Sequence, residues 1–301
     1  MKNAAASVRA RLLNHSRSTG SPFNAVLEQF AMGRFLWRLT QSFYRDRFVL
    51  KGAQLFRVWE SELHRPTRDL DLLGFGDPSE EAIAAAFQSI CELPSTPDDG
   101  LIWETVTVEP IRDDLEYGGV RAHLRATLAG ARIPLQVDVG FGDAITPGSV
   151  ESAWTELLDF PAASLLMYPP ETVVAEKLEA AVSLGIRNSR MKDFFDLHWI
   201  SGHMRFDRTT LARAVHATFE RRGTAIPSEP PLALTAEFGN DPAKITQWNA
   251  FLRKSSITAP PFPEIISTLA PFLTPLLSAT EDPTPKQWIP GVGWRERTEQ
   301  P

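Results

Sequence analysis

Apolar and polar residues alternate along three stretches in the first half of the chain, at 103–110, 119–128 and 132–141. A period of two is typical of β-strands with one buried face. The apolar run 48–50 and the mixed run 69–73 predict two further strands. Apolar residues at helical spacing predict the other elements of this half, which are helices at 7–17, 22–44 and 54–60 and one that begins at Ser79.

From Pro169 onward the pattern is mainly helical, and the last 20 or so residues are expected to form a loosely held tail. Predicted helices cover 171–184, the segment after Arg190, 207–221, 243–253 and 264–273. Together the two halves predict an α/β (α+β) fold with two lobes. Residues 1–165 are expected to form a mixed-sheet core with N-terminal helices, and residues 166–301 a mainly helical C-terminal lobe.

The composition is that of an ordinary globular protein, with 43% hydrophobic and 23% charged residues in 301. Cys91 is the single cysteine, so no intrachain disulfide can form. No apolar run approaches 18 residues, and the first ten residues do not resemble a signal peptide. We therefore expect a cytoplasmic protein with no membrane partner.

Charge is unevenly distributed around a net value of −6. Segments 34–68 and 187–222 each hold eight Lys and Arg, against three and four acids, whereas 77–119 holds eleven acids and one Arg. The basic segments are expected to form a positive rim for a polyanion, with the acidic segment on the far side. The alternative is that each block is only a solvated face, and it explains any single block at least as well.

Asp69 and Asp71 are two residues apart in a strand-like run, so their side chains are expected to point the same way. Two carboxylates on one surface repel each other unless a cation lies between them, and a hard divalent ion suits oxygen ligands. The alternative is a solvated edge strand. Asp138 is a third carboxylate, on the polar side of the strand at 132–141.

Three charged residues stand out in the second half. Lys177 falls within the apolar arc of its helix, so its ammonium group must reach an anion or extend out to solvent. Asp193 and Asp196 are three residues apart on one helix face, with Phe194 and Phe195 between them. These acids are expected to face a cleft or a basic neighbour, although Asp193 also suits a helix N-terminus.

The order of strand, Gly52 turn, short helix, Asp69 and Asp71, and then Asp138 resembles that of polymerase-β-type nucleotidyltransferases. Within that superfamily the chain resembles the AbiEii/AbiGii toxin family, which includes the mycobacterial MenT toxins. The resemblance spans about residues 7–275, and the segments that carry it are 48–53, 65–71, 176–180 and 190–197.

The resemblance implies a role for each matching residue. Asp69 and Asp71 would be the metal-binding pair, with Asp138 as a third ligand by strand position, in a site for two Mg²⁺ ions. The turn Lys51-Gly52-Ala53 and Lys177 would bind the nucleotide. Asp193 and Asp196 would include at least one catalytic acid. The chain departs from the superfamily at Ala53, where Ser or Gly is usual, so no hydroxyl is available there for a phosphate.

The resemblance also implies a function. The protein would be the Mg²⁺-dependent toxin of a toxin–antitoxin or abortive-infection pair, with a cognate antitoxin as partner. It would transfer nucleotides from an NTP to an acceptor hydroxyl at the 3′ end of tRNA and so inhibit translation. The alternatives are nucleotidylation of a protein or a small molecule, and a catalytically silent binding partner that keeps the fold.

Overall fold

The computed structural model describes residues 4–60, 65–67, 69–111, 118–277 and 286–296. Two compact units share the chain: the first comprises Met1–Gly142 and Ser149–Tyr168, and the second comprises Asp143–Gly148 and Pro169–Pro301. The predicted α/β class with a mixed sheet is confirmed. In the part of the chain that is described, no helix is long and apolar enough to cross a membrane.

The first unit is built on an eight-stranded sheet. Its helices are α1 (Ala4–Thr19), α2 (Phe23–Gln41), α3 (Leu55–Trp59) and α4 (Glu80–Glu92). Its strands are β1 (Phe48–Lys51), β2 (Leu70–Gly74), β3 (Ile102–Trp103), β4 (Thr107–Ile111), β5 (Gly119–Leu128), β6 (Ala131–Phe141), β7 (Val150–Ala153) and β8 (Ser164–Met167). The strand order is β3-β5-β6-β2-β1-β8-β7, and β4 also pairs with β5.

Alternation along β6 sets the two faces of the sheet. The residues at 133, 135, 137 and 139 are buried and apolar, whereas Gln136 and Asp138 lie on the opposite face. Helix α2 packs against the sheet and against α4, where the rings of Phe35 and Phe87 meet edge to face at 5.4 Å. Polar residues therefore lie on the face of the sheet that carries Asp138.

The single strand predicted at 103–110 is wrong, because two short strands occupy this stretch. Both β3 and β4 pair with β5, and the chain leaves the ladder between them. The backbone N–H of Val106 donates instead to the side chain of Gln88 on α4, at 2.9 Å. Pro110 lies in β4, which has β5 as its one partner, and such an edge strand tolerates proline.

The second unit is mainly helical, as predicted. Its helices are α5 (Pro170–Leu184), α6 (Met191–His203), α7 (Arg208–Arg221), α8 (Ala236–Asn240), α9 (Pro242–Ser255) and α10 (Phe262–Leu273). Three short strands, β9 (Phe206–Asp207), β10 (Lys286–Ile289) and β11 (Gly293–Glu296), form a sheet in the order β11-β10-β9. Aromatic side chains fill the core; Phe194, for example, packs edge to face on Phe262 at 5.4 Å.

The expected loose tail is wrong for residues 286–296, which form the antiparallel hairpin β10–β11. The side chain of Trp288 is buried and its indole N–H donates to the carbonyl of Ser201 at 2.7 Å. Trp294 donates in the same way to Phe272, at 3.1 Å. Each tryptophan buries a large apolar ring while its one polar atom is satisfied, so the hairpin is anchored.

Candidate functional site

The turn after β1 lies directly against one of the predicted metal ligands. Gly52 begins the 3₁₀ turn Gly52–Gln54 with a φ of +73°, a conformation that other residues rarely adopt. A Cβ atom at this position would overlap the carboxylate of Asp71. The side-chain amide of Gln54 donates to the backbone carbonyl of Asp69 at 3.3 Å. The turn therefore constrains Asp69 and Asp71 together.

A row of four charged residues crosses the neighbouring strands at this end of β2. Lys51 is paired with Asp71 between β1 and β2, and Asp71 with Asp138 between β2 and β6. Asp138 is in turn paired with Arg121 between β6 and β5. Residues paired in this way present their side chains on the same face of a sheet. Asp69 precedes β2 by one residue, and its charge acts on Arg121.

Arg121 is the functional candidate that the sequence analysis missed. Its Nε and Nη2 atoms donate to the two carboxylate oxygens of Asp138, both at 2.8 Å. The hydrogen bond to Asp138, with help from the charge of Asp69, raises the pKa of Arg121. The signal was present in the sequence, because the two-residue turn Ala129-Gly130 pairs 128 with 131 and so places 121 opposite 138.

The three predicted metal ligands differ in how well they suit a divalent ion. The carboxylates of Asp69 and Asp71 fit a hard cation that prefers oxygen ligands. Both oxygens of Asp138 already accept hydrogen bonds from Arg121, and the amide of Gln136 donates to one of them at 3.3 Å. Within the described ranges, no three His, Cys, Asp or Glu residues are grouped so that they could hold a metal. The fit is therefore good for the pair, and the role of Asp138 as a ligand stays a prediction.

A second cluster lies within the helical unit. Lys177 on α5 bonds Asp193 Oδ1 at 2.6 Å and Asp196 Oδ2 at 2.9 Å, both on α6. Arg190 adds an ion pair to Asp193 at 2.9 Å. The two acids and the lysine are largely shielded from solvent, with side chains 6%, 0% and 13% exposed. Of the two alternatives that the sequence left for Lys177, the structure therefore shows the contact with anions, and these anions are carboxylates.

Electrostatics within this cluster favour the ionised form of Asp193. Burial alone would raise the pKa of Asp193, but the charges of Lys177 and Arg190 outweigh burial and hold that pKa below its ordinary value. A carboxylate of this kind is a weak base and a strong partner for a cation. The arrangement fixes the ammonium group of Lys177 in position.

The expected positive rim is wrong for Arg34 and Arg38, both of which are buried. Arg34 bonds Asp99 at 3.2 Å, and Arg38 bonds both oxygens of Asp99 at 2.7 and 3.1 Å. Since they are four residues apart, the two arginines share the face of α2 that meets this loop. Asp99 comes from the acidic segment that was expected on the far side.

The basic segment at 187–222 shows the same effect at its end. Arg222 is surrounded by acids of its own unit, Asp143 at 2.9 Å, Glu179 at 2.8 Å and Glu176 at 3.5 Å. Its charge is therefore neutralised locally. Counting charges along the chain overestimated the positive surface, because these three arginines have internal partners.

Residues 34–269 match the model of one protein family, which is described as "Nucleotidyl transferase AbiEii toxin, Type IV TA system". The chain belongs to the AbiEii family. The match covers well over half of the sequence and includes the Gly52 turn, the charged row and the Lys177 cluster, so the resemblance stated from the motifs is confirmed. Family membership makes this chain a nucleotidyltransferase of a type IV toxin–antitoxin system.

Two solved structures from Helicobacter pylori resemble this AbiEii-family chain. JHP933 is 15% identical and has a TM-score of 0.50, over 84% of this chain and 91% of its own. A candidate nucleotidyltransferase is also 15% identical and has a TM-score of 0.49, over 84% of this chain and 94% of its own. At such identity the likeness to JHP933 shows a common fold alone. No curated protein matches the sequence.

Proposed function

We propose that this AbiEii-family protein is a Mg²⁺-dependent nucleotidyltransferase that acts in the cytoplasm. It transfers a nucleotide from an NTP to an acceptor hydroxyl, the 3′ end of tRNA, and thereby stops translation until its antitoxin counteracts it. The observation that carries the proposal is the contact of the Gly52 turn with Asp71, beside Asp69. A carboxylate pair pressed against a glycine turn would place metal ligands beside the main-chain N–H groups of that turn.

The first unit would bind the metal and the phosphates. Asp69 and Asp71 would hold Mg²⁺, which when bound neutralises phosphate charge and lowers the pKa of an attacking hydroxyl. Gly52 lacks a side chain and the Asp71 carboxylate fills the space of a Cβ atom, so the turn from Lys51 to Ala53 would meet a phosphate group beside the metal ligands. Since Ala53 has no hydroxyl, main-chain N–H groups and the ammonium group of Lys51 would supply the contacts.

The second unit would contribute Lys177 to nucleotide binding, the role that family resemblance gives it. Asp193 and Asp196 would act through Lys177, because their carboxylates fix its Nζ at 2.6 and 2.9 Å. An ammonium group positioned in this way would bind a phosphate as a fixed hydrogen-bond donor. Whether Asp193 or Asp196 also takes a proton from the acceptor is open to test by single substitutions.

A second candidate function is transfer to a protein or a small molecule instead of RNA. The observation that favours it is the internal pairing of Arg34, Arg38 and Arg222, which removes three expected contacts for a polyanion. The net charge of −6 points the same way. The same transfer assay with different acceptors separates the two candidates.

The test is transfer of label from each of the four NTPs to total tRNA in the presence of Mg²⁺. We expect Asp69→Asn and Asp71→Asn each to lower turnover on the order of 10³-fold, since both residues serve one assembly. Asp46→Asn is the matched control, because Asp46 lies in the same unit with a side chain 86% exposed. Near-normal transfer by Asp69→Asn would refute the metal assignment.

The acceptor is identified with two further measurements. Periodate oxidation destroys the terminal ribose diol of tRNA, so label incorporation should disappear if the 3′ end is the acceptor. Transfer to RNA should also fall steeply between about 50 and 200 mM salt, since phosphate contacts release counterions. Labelling of oxidised tRNA would refute the 3′ end as the acceptor, and indifference to salt together with labelling of a protein would favour the second candidate function.

A further inference from the structure

The two-metal mechanism needs a third carboxylate, and in this protein that carboxylate is already occupied. Asp138 gives both of its oxygens to Arg121 at 2.8 Å, in the bidentate geometry of the strongest ion pairs. The pair lies in the regular ladder between β5 and β6, whose register is fixed by the tight turn at the other end of the hairpin. The backbone therefore holds Arg121 opposite Asp138.

A metal ion at Asp138 would meet two obstacles. The bidentate pair would have to open, and the guanidinium group would then remain within a few ångströms of a dication, where like charges repel strongly. The formal charge of Lys51, Arg121 and the three aspartates is −1, so a single divalent ion is enough to make the row positive before a triphosphate arrives.

We propose that Arg121 takes the place of a second metal ion. On this proposal the site binds one divalent cation at Asp69 and Asp71. Asp138 is a positioning residue that holds Arg121, and Arg121 contacts a phosphate of the NTP. The Nη1 group of Arg121 makes no hydrogen bond to any described residue, and its side chain is 34% exposed, so donors remain for an anion. The inference rests on the proposed function and deepens its substrate site.

The first test counts metal ions without measuring catalysis. Mn²⁺ binding to the full chain is measured by paramagnetic resonance and calorimetry, with and without a non-hydrolysable NTP analogue. We expect one Mn²⁺ per chain, a Kd within about twofold of wild type for Asp138→Asn, and at least tenfold weaker binding for Asp69→Asn. A count of two ions or none, or a tenfold loss in Asp138→Asn, would overturn the inference.

The second test addresses the anion. Arg121→Gln should weaken binding of the NTP analogue at least tenfold while Mn²⁺ binding stays within about twofold or tightens, and Arg121→Lys should restore part of the loss because it keeps the charge. Arg125→Gln is the matched control, since Arg125 lies on the same face of β5 and its partner is Glu104. Unchanged analogue binding in a folded Arg121→Gln protein would refute the role.

The outcomes also separate this inference from the proposed function. A protein that binds one Mn²⁺ and needs Arg121 for the analogue, yet transfers nothing to tRNA, would contradict the acceptor and leave the inference intact. Normal transfer to tRNA by a protein that binds two ions would support the acceptor and contradict the inference.

Discussion

Replacing Lys177 by methionine should destabilise the protein strongly at neutral pH. Methionine keeps the length and the apolar stem of the side chain but removes the ammonium group that bonds Asp193 and Asp196. Two carboxylates would then remain buried, 6% and 0% exposed, with their charges uncompensated on that side. Removal of one partner from a buried ion pair typically costs about 3–5 kcal/mol.

The structure sets the expected value at the lower end of that range. Arg190 stays within 2.9 Å of Asp193 and continues to compensate it, whereas Asp196 loses its bond from Lys177. We therefore expect a loss of about 3 kcal/mol. At about 2–4 °C per kcal/mol for a domain of this size, this loss is a fall in Tm of roughly 6–12 °C.

The assay is urea unfolding of the wild type, Lys177→Met, Asp196→Asn and the double variant at pH 7. The double variant should recover much of the loss, with a coupling energy of about 2 kcal/mol. Lys192→Met is the control, because Lys192 lies on the same helix as the acids and is exposed. A Lys177→Met protein as stable as the wild type, with no coupling to Asp196, would refute the reasoning.

The pH dependence of the free energy of unfolding provides an independent check on the direction of this effect. In the wild type, Lys177 and Arg190 overcome the effect of burial and hold the pKa of Asp193 below 3.8. This contribution to stability is present above that pH and is lost as pH falls through the lowered pKa. Without Lys177 the ionised acids are less well compensated. The difference in free energy of unfolding between the variant and the wild type should therefore narrow below about pH 4.

Two further predictions concern the first unit. Gly52→Ala should cost about 1–2 kcal/mol for its positive φ, and it should lower turnover roughly 100-fold because its Cβ displaces Asp71. Gly130→Ala, which has a φ of +81° and open space around it, should lose stability alone, and equal activity losses in the two variants would contradict the steric argument. Burial raises the pKa of Glu156 from 4.5 to about 7 despite its ion pair with Arg34. Because the folded state then holds this proton more tightly, stability should fall as pH rises from about 4.5 to 7. Glu156→Gln should flatten this profile in thermal unfolding, and parallel curves would exclude the effect.

The sequence allowed much of the fold to be predicted, because local pattern decides it. Strict alternation located β5 with both of its ends correct, and the helical pattern located α7, whose N-cap in the structure is Asp207. The short strands β7 and β8 were missed, since four residues are too few to show a period. The hairpin of β10 and β11 was missed for a different reason: its stability comes from distant partners of its two tryptophans.

Long-range ion pairs limited the prediction of the site. Residue type and spacing identified Lys177, Asp193 and Asp196, and the structure brings them together because α5 and α6 pack side by side. The same reasoning failed for Arg34, whose partner Asp99 is 65 residues away and belongs to a segment of opposite charge. Blocks of charge along a chain describe a surface only where the fold does not pair them.

Asp138 shows how a partner determines what a residue can do. As a carboxylate on a polar strand face, opposite Asp71, it has the position of a metal ligand. Its hairpin partner is Arg121, however, and a bidentate guanidinium group occupies both oxygens that a metal would need. The hairpin register could be derived from the turn at Gly130, whereas the parallel pairing of β2 with β6 joins segments more than 60 residues apart and depends on the complete sheet. Only the combination of both pairings places an arginine, instead of open solvent, beside the third carboxylate, and this placement is the basis for expecting one metal ion.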